Sequence, residues 1–366
     1  MAIYNFAKKQ LKTMRVFKAY GPWQACTELV KFPYDLTFGK GKSHPPLNIV
    51  LFLTLHCNAR CTMCNLRDII NKGQNEMPFE RIKSFTQEIK PFKPSIILFG
   101  GEPLIRRDFV EIAKTVKDAG LSCGMFTNGT LFTPEIVRKI VELKMEWIAF
   151  SMQGLEETHD KIVGIKGAFR NMVSAIEEFN KHPKRKTKII IHTTISEQNI
   201  QELGKIIELG ERLNVDLIRI GNPVFFTDED IRKNKVFMHN MFPDAKVEEI
   251  NYSYDPTEKT EIFYQGIKDL MMHYKGRFEL TPDLSLDEIK DWYSPAFKTK
   301  RKCLFVYRSL FIYPNGDVVP CENFKFVMGN INKEPFLDIW NSPNYVKFRK
   351  GLRKSIYPGC ARCCKL

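Results

Sequence analysis

The chain has 366 residues, 56 of them Lys or Arg and 42 Asp or Glu, giving a formal net charge of +14, with 43% hydrophobic and 12% aromatic residues. That balance excludes a disordered or low-complexity chain, and the length suits one large α/β domain with a smaller appendage. The longest uncharged apolar run, Leu47 to Leu55, is too short to cross a bilayer, and Lys8, Lys9, Lys12 and Arg15 interrupt the N-terminal apolar residues, so the expected location is cytoplasmic.

Residues 1–46 begin with Ile3, Phe6, Leu11, Met14 and Phe17 at roughly helical spacing between lysines, then pass through a Pro/Gly-rich stretch to Pro45-Pro46. This reads as a basic amphipathic helix and a linker, either packed on the main domain or lying on an anionic membrane surface. From Leu47, apolar runs at 48–55, 95–99, 121–127, 146–152, 187–195 and 216–222 predict strands. Helical patterns at 78–90, 107–119, 133–143, 167–180 and 198–213 fall between them. A repeated βα unit makes a parallel sheet, and chemistry in such sheets gathers at the C-terminal strand ends. Residues 223–302 lose this regularity and read as a bridging or lid region. The appended segment 303–366 contains two predicted strands within 304–320, joined by Pro314-Asn315-Gly316-Asp317, where Asn-Gly supplies the positive φ values of a tight hairpin. A short helix around Pro335 to Trp340 and a basic helix near 343–353 precede the last cysteines.

Ten cysteines are present, and their clustering in a long chain points to metal or iron–sulfur ligands, not to the disulfide framework of a short secreted domain. Cys57, Cys61 and Cys64 form a Cys-x3-Cys-x2-Cys loop after the first strand. Three thiolates on one loop can each take one iron of a cubane and leave the fourth iron open. The spacing also allows a zinc site completed by His56, or buried structural cysteines. Toward the C-terminus, Cys303 and Cys321 flank the hairpin and Cys360-Ala361-Arg362-Cys363 makes a second pair, followed by Cys364. Such pairs converge on one metal site, iron–sulfur or zinc. Cys26 and Cys123 stand outside both groups and read as small buried hydrophobes.

Gly100-Gly101-Glu102-Pro103 closes the second predicted strand, one βα unit after the cysteine loop. A glutamate beside glycines that permit close backbone approach suits a cationic amine. Thr127-Asn128-Gly129-Thr130 ends the third strand and Ser151-Met152-Gln153-Gly154 the fourth, followed by Glu157, His159, Asp160, Gly164 and Gly167-Ala168-Phe169. Together with the cysteine loop, these elements resemble the radical S-adenosylmethionine (SAM) superfamily over about residues 47–222. The resemblance implies an α/β fold, a partial (βα)6 TIM-like barrel, with a SAM-binding [4Fe–4S] cluster on Cys57, Cys61 and Cys64. It further implies cofactor contacts from Gly100, Gly101, Glu102 and Pro103, which meet the amine, and from Thr127, Asn128, Ser151 and Gln153. Many members carry Asp where this chain has Gln153. Downstream, Cys-x12-Gly-x4-Cys resembles the start of a SPASM or Twitch domain, closer to the shortened Twitch form because five cysteines stand where the full pattern has seven. That implies a small C-terminal β-hairpin/helix domain with an auxiliary [4Fe–4S] cluster on Cys303, Cys321, Cys360 and Cys363. Cys364 is then either an alternative to Cys363 or a spare thiol.

The activity so implied is reductive cleavage of SAM to a 5′-deoxyadenosyl radical and abstraction of a substrate hydrogen, with the auxiliary cluster balancing the redox outcome. Dehydrogenation, epimerisation or bond formation on a sugar, lipid or peptide fits, with flavodoxin or ferredoxin as external reductant. His192, Thr194, Arg219 and Asn222, near the ends of the fifth and sixth strands, are candidate substrate contacts, as are Tyr307 and Arg308 at the start of the appended domain. A non-catalytic iron–sulfur electron carrier or scaffold is a second reading, but it would not require the SAM motifs. A nucleic-acid-modifying enzyme is a third, supported only by the +14 charge, with no RNA-binding module in view.

Overall fold

The protein's structure is a computed structural model that describes residues 22–73, 75–243, 256–294, 297, 299–323 and 326–366, with side chains from residue 30 onward. The amphipathic helix expected over residues 3–17 and the Cys26 side chain lie outside the described residues. Where the sequence reads as linker, a helix forms instead: α1 (Pro22–Thr37), with Pro33 inside it. Tertiary anchors outweigh that proline. Phe32 is buried beneath the Arg308 guanidinium, and the buried Asp35 carboxylate accepts hydrogen bonds from Ser43 Oγ (2.8 Å) and the His44 backbone N–H (3.0 Å).

The expected repeat follows as β1 (Asn48–Thr54), α2 (Phe79–Ile89), β2 (Ser95–Gly100), α3 (Phe109–Asp118), β3 (Ser122–Thr127), α4 (Pro134–Leu143) and β4 (Trp147–Ser151). Next come α5 (Glu156–Val163), α6 (Ala168–Asn180), β5 (Lys188–Thr194), α7 (Leu203–Arg212) and β6 (Leu217–Gly221). Helix α5 was not among the helical patterns, since its sequence is mostly polar. All six strands are parallel neighbours in order. Their outward residues, such as Ile49, Leu51, Leu98, Met125, Ile189 and Ile191, are fully buried under apolar helix faces such as Ile82, Phe85 and Ile89 of α2. Some of their inward residues, including Ile97, Phe99, Phe126 and His192, keep partial exposure and line a lumen, whereas Phe52, Ala149 and Ile190 are buried.

Residues 223–302 contain more regular structure than their composition suggests: α8 (Asp228–Met241), α9 (Thr260–His273), β7 (Glu279–Thr281) and α10 (Leu286–Tyr293). Strand β7 pairs in parallel with β6, Arg219 facing Glu279, and so adds a seventh parallel strand to the barrel. The C-terminal part supplies β8 (Ser309–Ile312), β9 (Asp317–Val319), β10 (Gly329–Asn330), α11 (Phe336–Trp340) and α12 (Pro343–Lys354). The hairpin does not begin at 304. Phe305–Tyr307 forms a 3₁₀ turn, because the Val306 carbonyl is taken by Arg349 and the Tyr307 carbonyl by Ser43. At the hairpin tip only Gly316 adopts positive φ (+88°), while Asn315 serves as an acceptor for the Asp317 N–H. β8 runs parallel to β1 on its free side, from Asn48 opposite Ser309 to Leu51 opposite Ile312. The ten strands therefore form one sheet, ordered β10-β9-β8-β1-β2-β3-β4-β5-β6-β7.

Two buried arginines lock the C-terminal part in place. Arg349 of α12 donates to the carbonyls of Val306 (2.9 Å) and Gly41 (3.3 Å) and to Asn341 Oδ1 (3.1 Å), with its guanidinium over Trp340 and Tyr345. Arg362 donates to Trp292 O (3.0 Å), Ser294 O (2.7 Å) and Asp230 Oδ2 (2.5 Å), which ties the last cysteine turn to α8 and α10. Replacing Arg349 by Met keeps the stem but strands its buried acceptors, and should lower stability by about 2–4 kcal/mol. Urea unfolding checks this; an unchanged midpoint would mean the arginine network is idle.

Candidate active site

The cysteine loop begins where β1 ends and is fastened from three sides. Gly101 N–H donates to Thr54 O and Glu102 N–H to His56 O, both at 2.9 Å, which presses the GGEP turn against the start of the loop. A Cβ on Gly101 would stand 2.2 Å from His56 O, and Gly100 has φ +147°, so this approach requires both glycines. On the second side, Asn58 donates to Thr130 Oγ1 and accepts from Asn128 Nδ2, both at 2.9 Å. On the third, the backbone N–H groups of Arg60 and Thr62 donate to Val163 O and Ile162 O at the end of α5. Small residues make that dock possible, since Ala59 packs on Val163 and Ala168, and Gly164 at φ +73° faces Arg60. Asp160 holds the α5–α6 turn by accepting from the N–H groups of Gly167 (2.5 Å) and Phe169 (2.9 Å). The residues after the fourth strand thus support the cysteine loop.

Glu102 joins the strand ends. It is buried, and its carboxylate accepts from Leu104 N–H (3.2 Å), Thr127 Oγ1 (2.9 Å) and Asn128 N–H (2.8 Å). Its oxygens brace the GGEP turn to the TNG turn. Thr127 and Asn128 likewise spend their side chains on that brace. Gln153 is buried, its Oε1 accepting from Thr194 N–H (3.0 Å) and its N–H donating to His159 Nδ1 (3.0 Å). His159 is fully buried, and burial pushes its imidazole down to about 4, so it stays neutral. Pro103 opens a short 3₁₀ turn after Glu102. Ser151 stands level with His192 on β5, and His192 with Arg219 on β6, so these three share one height of the wall.

Burial pushes the Cys57 thiol up to about 11 and Cys61 to about 12, and it raises Cys64 too, so these thiols become thiolates only when a bound cation offsets the cost. The donor set, three half-buried thiols on one short loop, fits a cubane with one open iron. Both Cys64 and Cys321, the latter from the second group, pack against one apolar cluster of Val50, Phe52, Leu55, Leu66, Phe311, Tyr313 and Val319. Cys303, Cys321, Cys360 and Cys363 line one small cavity, walled by Phe305, Val306, Phe348 and Leu352. Four thiols around an apolar void fit a fully ligated cluster. Cys364 does not line the cavity; its thiol makes a hydrogen bond with that of Cys363 and lies near the Lys365 ammonium.

Of the expected substrate contacts, the structure gathers two. His192 and Arg219 face the lumen with Lys365, a residue the sequence reading passed over, close enough for its charge to act on His192 and to feel Arg219. Arg219 pairs with Glu279 at 3.3 Å. Thr194 instead joins β5 to Gln153 and Asn199 through its backbone. Asn222 is buried behind β6, accepting from Tyr293 Oη (2.9 Å). Tyr307 and Arg308 lie at the opposite, N-terminal rim, where the Arg308 carbonyl accepts from Leu47 and Asn48 and its guanidinium covers Phe32. Chain distance from Cys303 suggested the active rim, but the 3₁₀ turn directs them away.

A model of the radical SAM superfamily matches residues 51–210, and one of an iron–sulfur cluster-binding domain, SPASM, matches residues 303–364. The AdoMet-dependent heme synthase of Methanosarcina barkeri is 30% identical over 310 residues, covering 84% of this chain and 85% of that protein. Fe-coproporphyrin III synthase from the same organism is 25% identical over 350 residues, covering 90% and 82%. The crystal structure of Streptococcus suis SuiB bound to S-adenosylmethionine superposes with a TM-score of 0.62 at 18% identity, covering 94% of this chain and 79% of that one, a likeness of fold. The chain belongs to the radical SAM superfamily and is an enzyme of its SPASM-containing branch, whose two domains imply [4Fe–4S] clusters and SAM as cofactors.

Replacing Glu102 by Gln should cost about 1–3 kcal/mol, because an amide N–H₂ then faces the Asn128 N–H. Burial pushes the Glu102 carboxyl up to about 7, so its contribution to stability is complete below pH 4.5, its ordinary value, and is lost as pH rises through about 7. Urea midpoints across that window should fall in the parent and lose that component in Glu102→Gln. A variant as stable as the parent would remove the brace.

Proposed function

We propose that this enzyme oxidises an acid-bearing, planar molecule held in the barrel lumen between the two cysteine sites. The observation that carries this reading is a ladder of rings on the inner wall. Tyr313 stacks on Phe52 (4.8 Å between centroids), Phe52 meets Phe99 edge-on (4.9 Å), Phe99 meets Phe126 (5.5 Å), and Phe126 meets His192 (5.7 Å). The ladder ends where Arg219 and Lys365 stand. A planar apolar body packs on such rings, each pair adding about 0.5–1.5 kcal/mol beyond area burial. An acidic edge of that body would meet the Lys365 ammonium, which the charges of Cys364 and Glu322 hold in its protonated form. Two relatives carry the names heme synthase and Fe-coproporphyrin III synthase, and ring systems bearing carboxylates match this wall in shape and charge.

In this reading Cys57, Cys61 and Cys64 hold the SAM-binding cluster, and Cys303, Cys321, Cys360 and Cys363 hold the auxiliary one. Bound together, the first cluster and SAM supply the radical that removes hydrogen from an unactivated carbon. The protein's own residues orient and protect. The ring ladder excludes water and competing hydrogen donors. Burial, with the charges of Arg219 and Lys365, pushes His192 down to about 3, so it offers a neutral donor or acceptor and not a third cation. Glu279 fixes the Arg219 guanidinium. An external one-electron reductant, of the flavodoxin or ferredoxin kind, is the partner this chemistry requires.

Iron coproporphyrin III serves as the probe. Saturable binding, followed by its Soret band, should weaken roughly tenfold, about 1.4 kcal/mol, in Lys365→Met with iron content preserved. Absence of any spectral change would contradict the substrate class. Changing Cys57, Cys61 and Cys64 to Ala should abolish formation of 5′-deoxyadenosine under reducing conditions, and persistence of that product would refute the assigned ligands.

A further inference from the structure

Helix α1 exposes an apolar ridge on the side away from the barrel. Val30, Tyr34 and Phe38 follow one another at four-residue steps and are 73%, 54% and 71% exposed, with the Tyr34 and Phe38 rings 5.7 Å apart. The ridge cannot rotate inward, because Phe32 and Asp35 on the other face are buried against Arg308, Ser43 and His44. Scattered exposed apolar residues need no explanation, but a pinned row of three along the end of one helix and the residue after it does.

The surroundings are basic. From residue 30 to residue 42 the chain carries Lys31, Lys40 and Lys42 against only Asp35, which is buried. Helix α12 contains no acidic residue and lies against the loop after α1: Arg349 bonds Gly41 O, and Gly41 sits on Val346 and Lys350. Its Lys347, Lys350, Arg353 and Lys354 are exposed, as are Lys40 and Lys42. Apolar residues flanked by lysines without acidic partners make the pattern of an interfacial membrane contact.

We propose that this face docks on an anionic phospholipid bilayer, with Val30, Tyr34 and Phe38 entering the boundary of headgroups and acyl chains and the lysines meeting lipid phosphates. Among the described residues no helix is long and apolar enough to cross a membrane, so the contact is peripheral. Charge argues for this occupant over two others. Residues 1–21 contain no acid and would add positive charge to a basic surround, and a second copy would set one basic face against another. The inference is independent of the radical chemistry. Arg308 places α1 at the N-terminal rim, so docking leaves the cysteine loop open.

Co-sedimentation of the full-length, cluster-loaded protein with vesicles tests it. Vesicles containing about 30 mol% phosphatidylglycerol in phosphatidylcholine should bind roughly tenfold or more tightly than phosphatidylcholine alone, and added salt should weaken that binding. Val30→Ser/Tyr34→Ser/Phe38→Ser and, separately, Lys40→Gln/Lys350→Gln/Lys354→Gln should each lose roughly tenfold while keeping iron content and circular dichroism, since all these side chains are exposed. Equal recovery with neutral and anionic vesicles, or full binding by the apolar triple variant, would overturn the proposal. So would a dimer in light scattering that the same triple variant converts to a monomer, which would assign the ridge to a second copy.

Discussion

The backbone pairing of β8 with β1 is the constraint on which the rest of the molecule depends. It adds the C-terminal hairpin to the barrel's free edge in register, from Asn48 opposite Ser309 to Leu51 opposite Ile312. The inward residues Val50, Phe52, Phe311 and Tyr313 therefore merge into one apolar cluster, which Cys64 touches from one loop and Cys321 from the other. A one-residue slip would turn every hairpin side chain to the opposite face and separate the two cysteine groups. Asn65 of the first loop also donates to Glu322 beside Cys321 (2.5 Å), so the two sites share a polar link as well as an apolar wall.

Around that frame, position is set by buried polar groups whose partners are nearly all satisfied. Glu102 ties two strand ends together, Asp160 holds the turn on which the cysteine loop rests, and Arg362 plugs the Cys-x2-Cys turn into α8 and α10. Each would be costly alone in an apolar interior and is specific because it is paired. Their common effect is to hold flexible loops at the open rim while the helices and strands beneath supply most of the burial energy. The lumen differs in kind. Its wall combines the buried rings of Phe52 and Tyr313 with the partly exposed Phe99 and Phe126 and a few charges, the composition of a surface that awaits a ligand.

Six strands were legible because each carries a short, mostly apolar run between helical patterns, and the cysteine spacings and GGEP turn were legible because chemistry fixes them locally. β7 was not, since Glu279-Leu280-Thr281 is three half-buried residues without an apolar signature. The role of Arg362 was hidden for another reason: a lone arginine in a turn reads as surface, and its partners lie 68 to 132 positions away. Lys365 escaped notice likewise, as its meaning comes only from the fold that brings the chain's end over His192 and Arg219. Conversely, Tyr307, Arg308 and Asn222 looked functional by chain position and were placed by tertiary hydrogen bonds at the far rim or behind the wall.

The central claim is that two iron–sulfur sites face one lumen, the first with an open iron and the second fully ligated. Iron and sulfide content with EPR spectroscopy, on anaerobically reconstituted protein before and after SAM is added, tests it most directly. The account predicts about eight irons per chain and two cubane signals, only one of which shifts with SAM. About four irons together with one zinc, or two signals that are both indifferent to SAM, would contradict it.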